Sequence, residues 1–263
     1  MKLPLYQVDA FASRPFAGNP AAVVPLPRWV DDALLQAIAA ENNLSETAYL
    51  VGEAGAYEIR WMTPATEVDL CGHATLASAW VVFEKLEPGR REVTFSSRSG
   101  PLQVSGEGDS IALDFPSQPP ERAEGAKERL AAALGRAPRE SWASSRDYMA
   151  VFDQEEEVRA LVPDMAKAAA LDGHAVIATA PGREADFVSR FFAPAFGIAE
   201  DPVTGSAHCT LVPYWSARLG KKRLRALQVS ARGGELACED RGARVSIAGR
   251  VAPYLEGTIE VTA

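Results

Sequence analysis

The chain has 263 residues, 47% of them hydrophobic and 24% charged, with a formal net charge of −8. That length supports one large domain or two modest ones, and the composition is ordinary for a soluble globular protein. The acidic balance argues against a nucleic-acid or anionic-membrane surface, and no apolar run approaches the ~20 residues of a membrane span.

The opening Met1-Lys2-Leu3-Pro4 has no signal-peptide core, so a cytoplasmic location is expected. A strand is predicted at 5–11, followed by the turn-rich Arg14-Pro15-Phe16-Ala17-Gly18-Asn19-Pro20 and a short β-branched strand at 22–24. Asp31 or Asp32 caps a helix over 32–41, with Leu34, Leu35, Ile38 and Ala39 on its apolar face. Strands follow at 48–51 and 57–62. The nearly all-apolar 76–83 predicts a helix buried on every side. The Pro- and Gly-containing stretch 116–126 divides the chain into lobes 1–116 and 117–263, with the last strand able to pair back onto the first lobe. Helices are predicted at 127–134 and 164–171, and strands at 175–180, 187–193, 227–231, 243–247 and 258–261. Short strands with few helices and no regular βαβ alternation predict an α+β fold.

The two halves echo each other. Arg60-Trp61-Met62-Thr63-Pro64-Ala65 matches Arg190-Phe191-Phe192-Ala193-Pro194-Ala195. Glu67 precedes Gly72-His73-Ala74 by the same spacing at which Glu200 precedes Gly205-Ser206-Ala207, and each glycine leads into an apolar segment carrying a tryptophan, Trp80 or Trp215. Each string is short enough to recur by chance. In order, they point to a duplicated unit and to a ligand cleft between two lobes.

The Gly-led segments are the sharpest chemical features. A helix start presents unpaired N–H groups with partial positive charge, suited to a carboxylate or phosphate, and Thr75, Thr204 and Ser206 add donors. Ordinary capping of two buried helices is the plain alternative. His73, at the first helix mouth, is expected to be neutral because the helix dipole disfavours the imidazolium. Asp201 either caps the second helix, or orients His73 or takes part in proton transfer. Glu46, where polar residues run into an apolar strand, is either a solvated surface group or a desolvated general acid/base. Cys71 precedes Gly72, but no cysteine stands at the matching place before Gly205, which weakens a two-thiol mechanism. Cys209 is expected to pack. The three cysteines are too scattered for a disulfide framework, and Cys71, Cys209, Cys238, His73, His174 and His208 lack metal-ligand spacing, so no metal site is expected.

Val8-Asp9-Ala10-Phe11, Phe16-Ala17-Gly18-Asn19-Pro20, Asn43-Leu44-Ser45-Glu46-Thr47, Leu70-Cys71-Gly72-His73-Ala74-Thr75 and Glu200-Asp201-Pro202-Val203-Thr204-Gly205-Ser206-Ala207-His208 together resemble the PhzF (phenazine biosynthesis-like) family. Arg232-Gly233-Gly234-Glu235 and the strand 245–251 look similar too, so the resemblance runs over nearly the whole chain in the family's order. It implies a diaminopimelate-epimerase-like fold: two pseudosymmetric lobes, each a curved, mostly antiparallel sheet around a central helix. It also implies a homodimer, no cofactor and a small anionic substrate. The family's catalytic positions fall on Glu46, His73 and Asp201. Substrate-binding positions fall on Asn19, Ser45, Gly72, Gly205 and Ser206. The implied reaction is a proton shift on a carboxylate-bearing metabolite, similar to isomerisation of trans-2,3-dihydro-3-hydroxyanthranilate. Alternatives are an epimerase or racemase using Cys71, or a non-catalytic binding protein. The phenazine enzyme's own first motif resembles Ala-Gly-His-Pro, where this chain has Cys71-Gly72-His73-Ala74, and that departure leaves the substrate open.

Overall fold

β-branched and aromatic residues on inward positions build much of this chain into strands. In the computed structural model, which describes residues 1–261, two compact units form: Met1–Asp114 with the C-terminal segment from Ala248, and Phe115–Ile247. The sequence-based ranges are 1–116 and 117–263, with the last strand able to pair back onto the first lobe; residues 262–263 lie outside the described residues.

The first unit contains β1 (Lys2–Ala10), β2 (Asn19–Pro25), α1 (Asp32–Asn42), β3 (Glu46–Glu53), β4 (Ala56–Met62), the short β5 (Glu67–Val68), α2 (Gly72–Val81), β6 (Glu92–Ser97), β7 (Gly100–Glu107) and β8 (Ser110–Pro116). β1 runs antiparallel to β2, β2 parallel to β3, β3 antiparallel to β4, β4 parallel to β6, and β6 antiparallel to β7. The helix α2 fills the β4-to-β6 connection and packs on β1, β2 and β3. Its residues His73 to Ala79 are all buried, as an all-apolar helix requires. Leu3, Leu5, Val24, Leu35, Ile38, Tyr49 and Met62 form a core beneath α1.

The second unit contains β9 (Glu121–Arg122), α3 (Lys127–Leu134), β10 (Glu140–Ala143), β11 (Tyr148–Val151), α4 (Glu155–Arg159), α5 (Met165–Ala169), β12 (Val176–Pro181), β13 (Phe187–Phe192), α6 (Gly205–Leu219), β14 (Arg223–Gln228) and β15 (Gly234–Asp240). β16 (Arg244–Gly249) leads into β17 (Val251–Glu260), which returns to the first unit as the antiparallel neighbour of β1. From β10 to β15 the pairings repeat those of the first unit: antiparallel, parallel, antiparallel, parallel, antiparallel. The buried α6 fills the β13-to-β14 connection as α2 fills its counterpart. The fold is therefore α+β, with two units of like topology, each a mostly antiparallel sheet with a central helix. Among the described residues, no helix is long and apolar enough to cross a membrane.

The sequence echo has a physical counterpart. Arg60 Nε and Nη2 each lie 2.7 Å from a Glu67 carboxylate oxygen, and Arg190 Nε and Nη2 grip Glu200 at 2.7 and 2.8 Å. Beyond each fork, a serine hydroxyl pins the next segment: Ser99 Oγ donates to the Asp69 carbonyl and Ser230 Oγ to the Pro202 carbonyl, both at 2.8 Å. The tryptophan echo fails. Trp215 is buried and stacks on Phe187, whereas Trp80 is half-buried beside Lys85. The strand expected at 227–231 lies at Arg223–Gln228 instead, because Ser230 accepts from Gly233 N–H and closes a turn there.

Replacing Arg190 by alanine strips Glu200 of its fork and removes the donor to the Leu161 carbonyl at 2.9 Å. We expect a loss of roughly 2–4 kcal/mol from breaking this largely buried pair. Lys167→Ala, at the exposed pair with Asp164, should cost under about 1 kcal/mol. Urea denaturation of the two variants beside the wild type measures the contrast.

Candidate active site

Glu46 stands at the first position of β3, opposite Ala21 of β2 in the parallel ladder. Strand pairing fixes its backbone, and its carboxyl group turns inward, 8% exposed. His73, the second residue of α2, is 5% exposed. Its Nε2 lies 3.1 Å from Glu46 Oε2. The two atoms meet off the ideal hydrogen-bond line, so the contact is chiefly ionic.

The other edge of the ring is also engaged. Asn19 Nδ2 lies 3.2 Å from His73 Nδ1, and Ser45 Oγ donates to Asn19 Oδ1 at 3.3 Å. With the amide oriented by Ser45, Nδ1 accepts and Nε2 carries the proton that faces Glu46. A second ring proton on Nδ1 would face Cys71 Sγ, 3.5 Å away. Asn19 is fully buried and is delivered by the Gly18 turn. Gly18 has φ 65°, and an added Cβ would sit 2.1 Å from the Ala10 carbonyl oxygen, so this turn requires glycine.

Burial alone would favour the neutral ring. The Cys71 sulfur and the Glu46 carboxylate outweigh it and hold the His73 pKa well above the ordinary imidazole value. Burial also pushes the Cys71 thiol up to about 11. The thiol is therefore uncharged near neutrality, and the carboxylate is the partner that matters there. The neutral imidazole expected from the helix dipole is corrected accordingly. A helix terminus is worth about 0.3–1 kcal/mol, whereas a unit charge at 3.1 Å contributes about 5 kcal/mol at an effective dielectric near 20.

Glu46, Cys71 and His73 each offer a ligand atom, all within 4.8 Å of one another. Thiolate, imidazole and carboxylate form a donor set that suits zinc. His73 presents Nδ1 to the sulfur at 3.5 Å and Nε2 to the carboxylate at 3.1 Å, so each ring nitrogen meets one of the other two groups.

The second unit assembles a different set at its helix start. Asp201 N–H donates to the Phe191 carbonyl at 3.0 Å, and Thr204 Oγ1 donates to Asp201 Oδ2. Asp201 is thus held by the helix-capping residue. Gly205 and Ser206 open α6, as Gly72 and His73 open α2. Neither Cys71 nor Thr204 caps its helix with a side-chain bond, so the leading N–H groups receive no acceptor from either capping side chain. His208, one turn further in, hydrogen-bonds through Nδ1 to the Thr204 carbonyl at 2.8 Å. Burial lowers its pKa to about 4. Sequence reasoning missed Gln228, whose amide is wholly buried against Asp201 and Thr204; nothing in its neighbours in the chain marks it.

The family model described as phenazine biosynthesis-like protein matches residues 8–257. The chain belongs to the PhzF family. An uncharacterized isomerase of Pseudomonas aeruginosa is 53% identical over 99% of this chain and 100% of that protein. The crystal structure of a PhzF family protein from Enterococcus faecalis superposes with a TM-score of 0.96 at 47% identity, covering 99% of this chain and 100% of that one. A hydroxyproline epimerase from Agrobacterium vitis, with bound trans-4-hydroxy-L-proline, shares the fold at a TM-score of 0.61 and 11% identity, over 98% of this chain and 92% of that one. The PhzF family thus shares its epimerase-like architecture with proteins of very different sequence.

Histidine resonances followed by NMR should separate the two buried rings. His208 should stay neutral down to about pH 4, and His73 should keep its proton well above pH 6.5. Glu46→Gln should bring the His73 titration down. Because the folded ring binds its proton more tightly than the unfolded one, the stability it confers is complete below pH ~6.5 and fades as pH rises through the folded value.

Proposed function

We propose that this PhzF family protein is a cofactor-independent isomerase that moves a proton on a small carboxylate-bearing metabolite. The observation that carries the reading is the buried Glu46–His73 contact at 3.1 Å. A carboxyl group at the start of a paired strand and an imidazole in the first turn of a buried helix support this reading. Glu46 takes a proton from a substrate carbon and, once protonated, returns it to another carbon. The Nε2 proton of His73 stabilises the negative charge that develops as the first C–H bond breaks. Asn19 and Ser45 hold the ring from behind. Gly205 and Ser206, with the N–H groups at the start of α6, bind the substrate carboxylate, and Asp201 orients it.

Two features favour isomerisation over racemisation by paired thiols. Thr204 occupies in the second unit the helix-capping position that Cys71 holds in the first. The Cys71 thiol is also a poor source of thiolate, with its pKa near 11. A homodimer accompanies this reading, as the family resemblance implies, and so does the cytoplasmic location expected from the sequence.

A bacterial metabolite extract incubated with the protein in D2O tests the reaction. A metabolite that gains deuterium at carbon, found by mass spectrometry, identifies the substrate. Glu46→Gln should lower the labelling rate at least ~100-fold, the low end for general acid–base catalysis. Cys71→Ser should leave substantial labelling. Loss with Cys71→Ser as deep as with Glu46→Gln would instead favour the epimerase reading. Binding of a metabolite with no deuterium gain would favour a binding protein.

A further inference from the structure

What the scaffold requires occurs twice in this chain, and Gln228 occurs once. The Arg–Glu fork and the pinning serine are present in both units. Aligning Arg60 with Arg190 in the paired strands sets Ser97, the last residue of β6, against Gln228, the last residue of β14. Ser97 Oγ donates to the Gly100 carbonyl of its own hairpin at 2.8 Å. Gln228 instead turns a 1% exposed carboxamide toward the segment before α6.

All of its hydrogen-bonding atoms there are used, and their assignment is unambiguous. Oε1 accepts from Thr204 N–H at 2.8 Å, and Nε2 donates to the Asp201 carbonyl at 2.8 Å. Nε2 also lies 3.1 Å from Thr204 Oγ1. A backbone N–H can only donate and a carbonyl can only accept, so the amide has one orientation. With Nε2 donating to it, the Thr204 hydroxyl directs its own proton to Asp201 Oδ2. The amide therefore fixes both the backbone turn 201–204 and, through one hydroxyl, the direction of the Asp201 carboxylate.

We propose that Gln228 is the positioning residue of the second half of the site, orienting Asp201 through the Thr204 hydroxyl and setting the start of α6. The inference rests on the assignment of Asp201 to the substrate. An ordinary structural amide would satisfy backbone groups alone. This one also bonds the hydroxyl that donates to a carboxylate, at the position where the duplicated first unit has only a serine.

The test uses the full-length protein with 13C-labelled aspartate, the Asp201 carboxyl resonance being assigned by its absence in Asp201→Asn. Gln228→Glu keeps the acceptor for Thr204 N–H and loses both donors. Thr204→Val removes the relaying hydroxyl at nearly constant shape and serves if the first variant folds poorly. Both should move the Asp201 resonance, and both should lower deuterium labelling by about tenfold, the scale of one lost charge-assisted hydrogen bond. Ser141→Ala, in the same unit at a hydroxyl bonded to the Ala123 carbonyl, should change neither. An unmoved Asp201 resonance in folded Gln228→Glu and Thr204→Val overturns the positioning role, whatever Asp201 does. A moved resonance with normal labelling in these variants and in Asp201→Asn supports the positioning and sinks the assignment of Asp201 to the substrate.

Discussion

The bidentate grip of an arginine on a glutamate, made once in each unit, is the constraint on which both helix starts depend. Each arginine sits in the fourth strand of its sheet, and each glutamate lies five residues before the glycine that opens the central helix. A planar guanidinium meeting a carboxylate with two parallel bonds fixes direction as well as distance. Arg60 adds a bond to Asp32 at 2.7 Å, and Arg190 adds one to the Leu161 carbonyl at 2.9 Å. These extra partners offset the desolvation of a largely buried cation. With the serine hydroxyl holding the next carbonyl, the few residues before each helix have little freedom left. The capping side chains can then turn to other work: Cys71 faces His73, and Thr204 faces Asp201.

Against that common frame, the differences between units stand out. Pairing Tyr49 with Arg60 and Ala178 with Arg190 sets Glu46 of the first unit against Ala175 of the second. Likewise Cys71 stands against Thr204, His73 against Ser206, and Ser97 against Gln228. The first unit holds the carboxylate–imidazole pair. The second holds a carboxylate that accepts from the Thr204 hydroxyl, an amide that bonds the same turn, and a serine at the helix mouth. Symmetry in the fold is thus not matched by symmetry in the side chains that each helix start gathers.

Much of this was legible before any coordinates. Glu46 and the two Gly-led segments lie in compact strings, and the duplication shows as ordered matches along the chain. The helix over 127–134 is bounded by charged residues and Gly135, and it forms with those limits. Other features depend on partners far apart in sequence. The charge on His73 follows from a carboxylate 27 residues earlier, which no local dipole argument includes. Gln228 gains its meaning from Thr204, and its own surroundings read as an unremarkable strand end. The strands of 92–107 escape a reading by apolar runs because only alternate residues such as Val93, Phe95, Leu102 and Val104 face inward, while polar residues fill the outer face.

The placement of the acid/base pair also follows from what a desolvated carboxylate demands. A buried anion costs several kcal/mol unless a positive or donating partner is held close. A mobile loop would let the pair relax apart and admit water. Here Glu46 begins a strand fixed on one side by the parallel β2 and tied by Thr47 to Met62 on the other. His73 sits in the first turn of a helix buried on nearly every face. Ser45, the residue before Glu46, reaches back through Asn19 to the far edge of the same ring. One short segment therefore presents the carboxylate and steadies the imidazole it meets. The pair is thus held from both sides, with Nε2 of the ring facing the Glu46 carboxyl group.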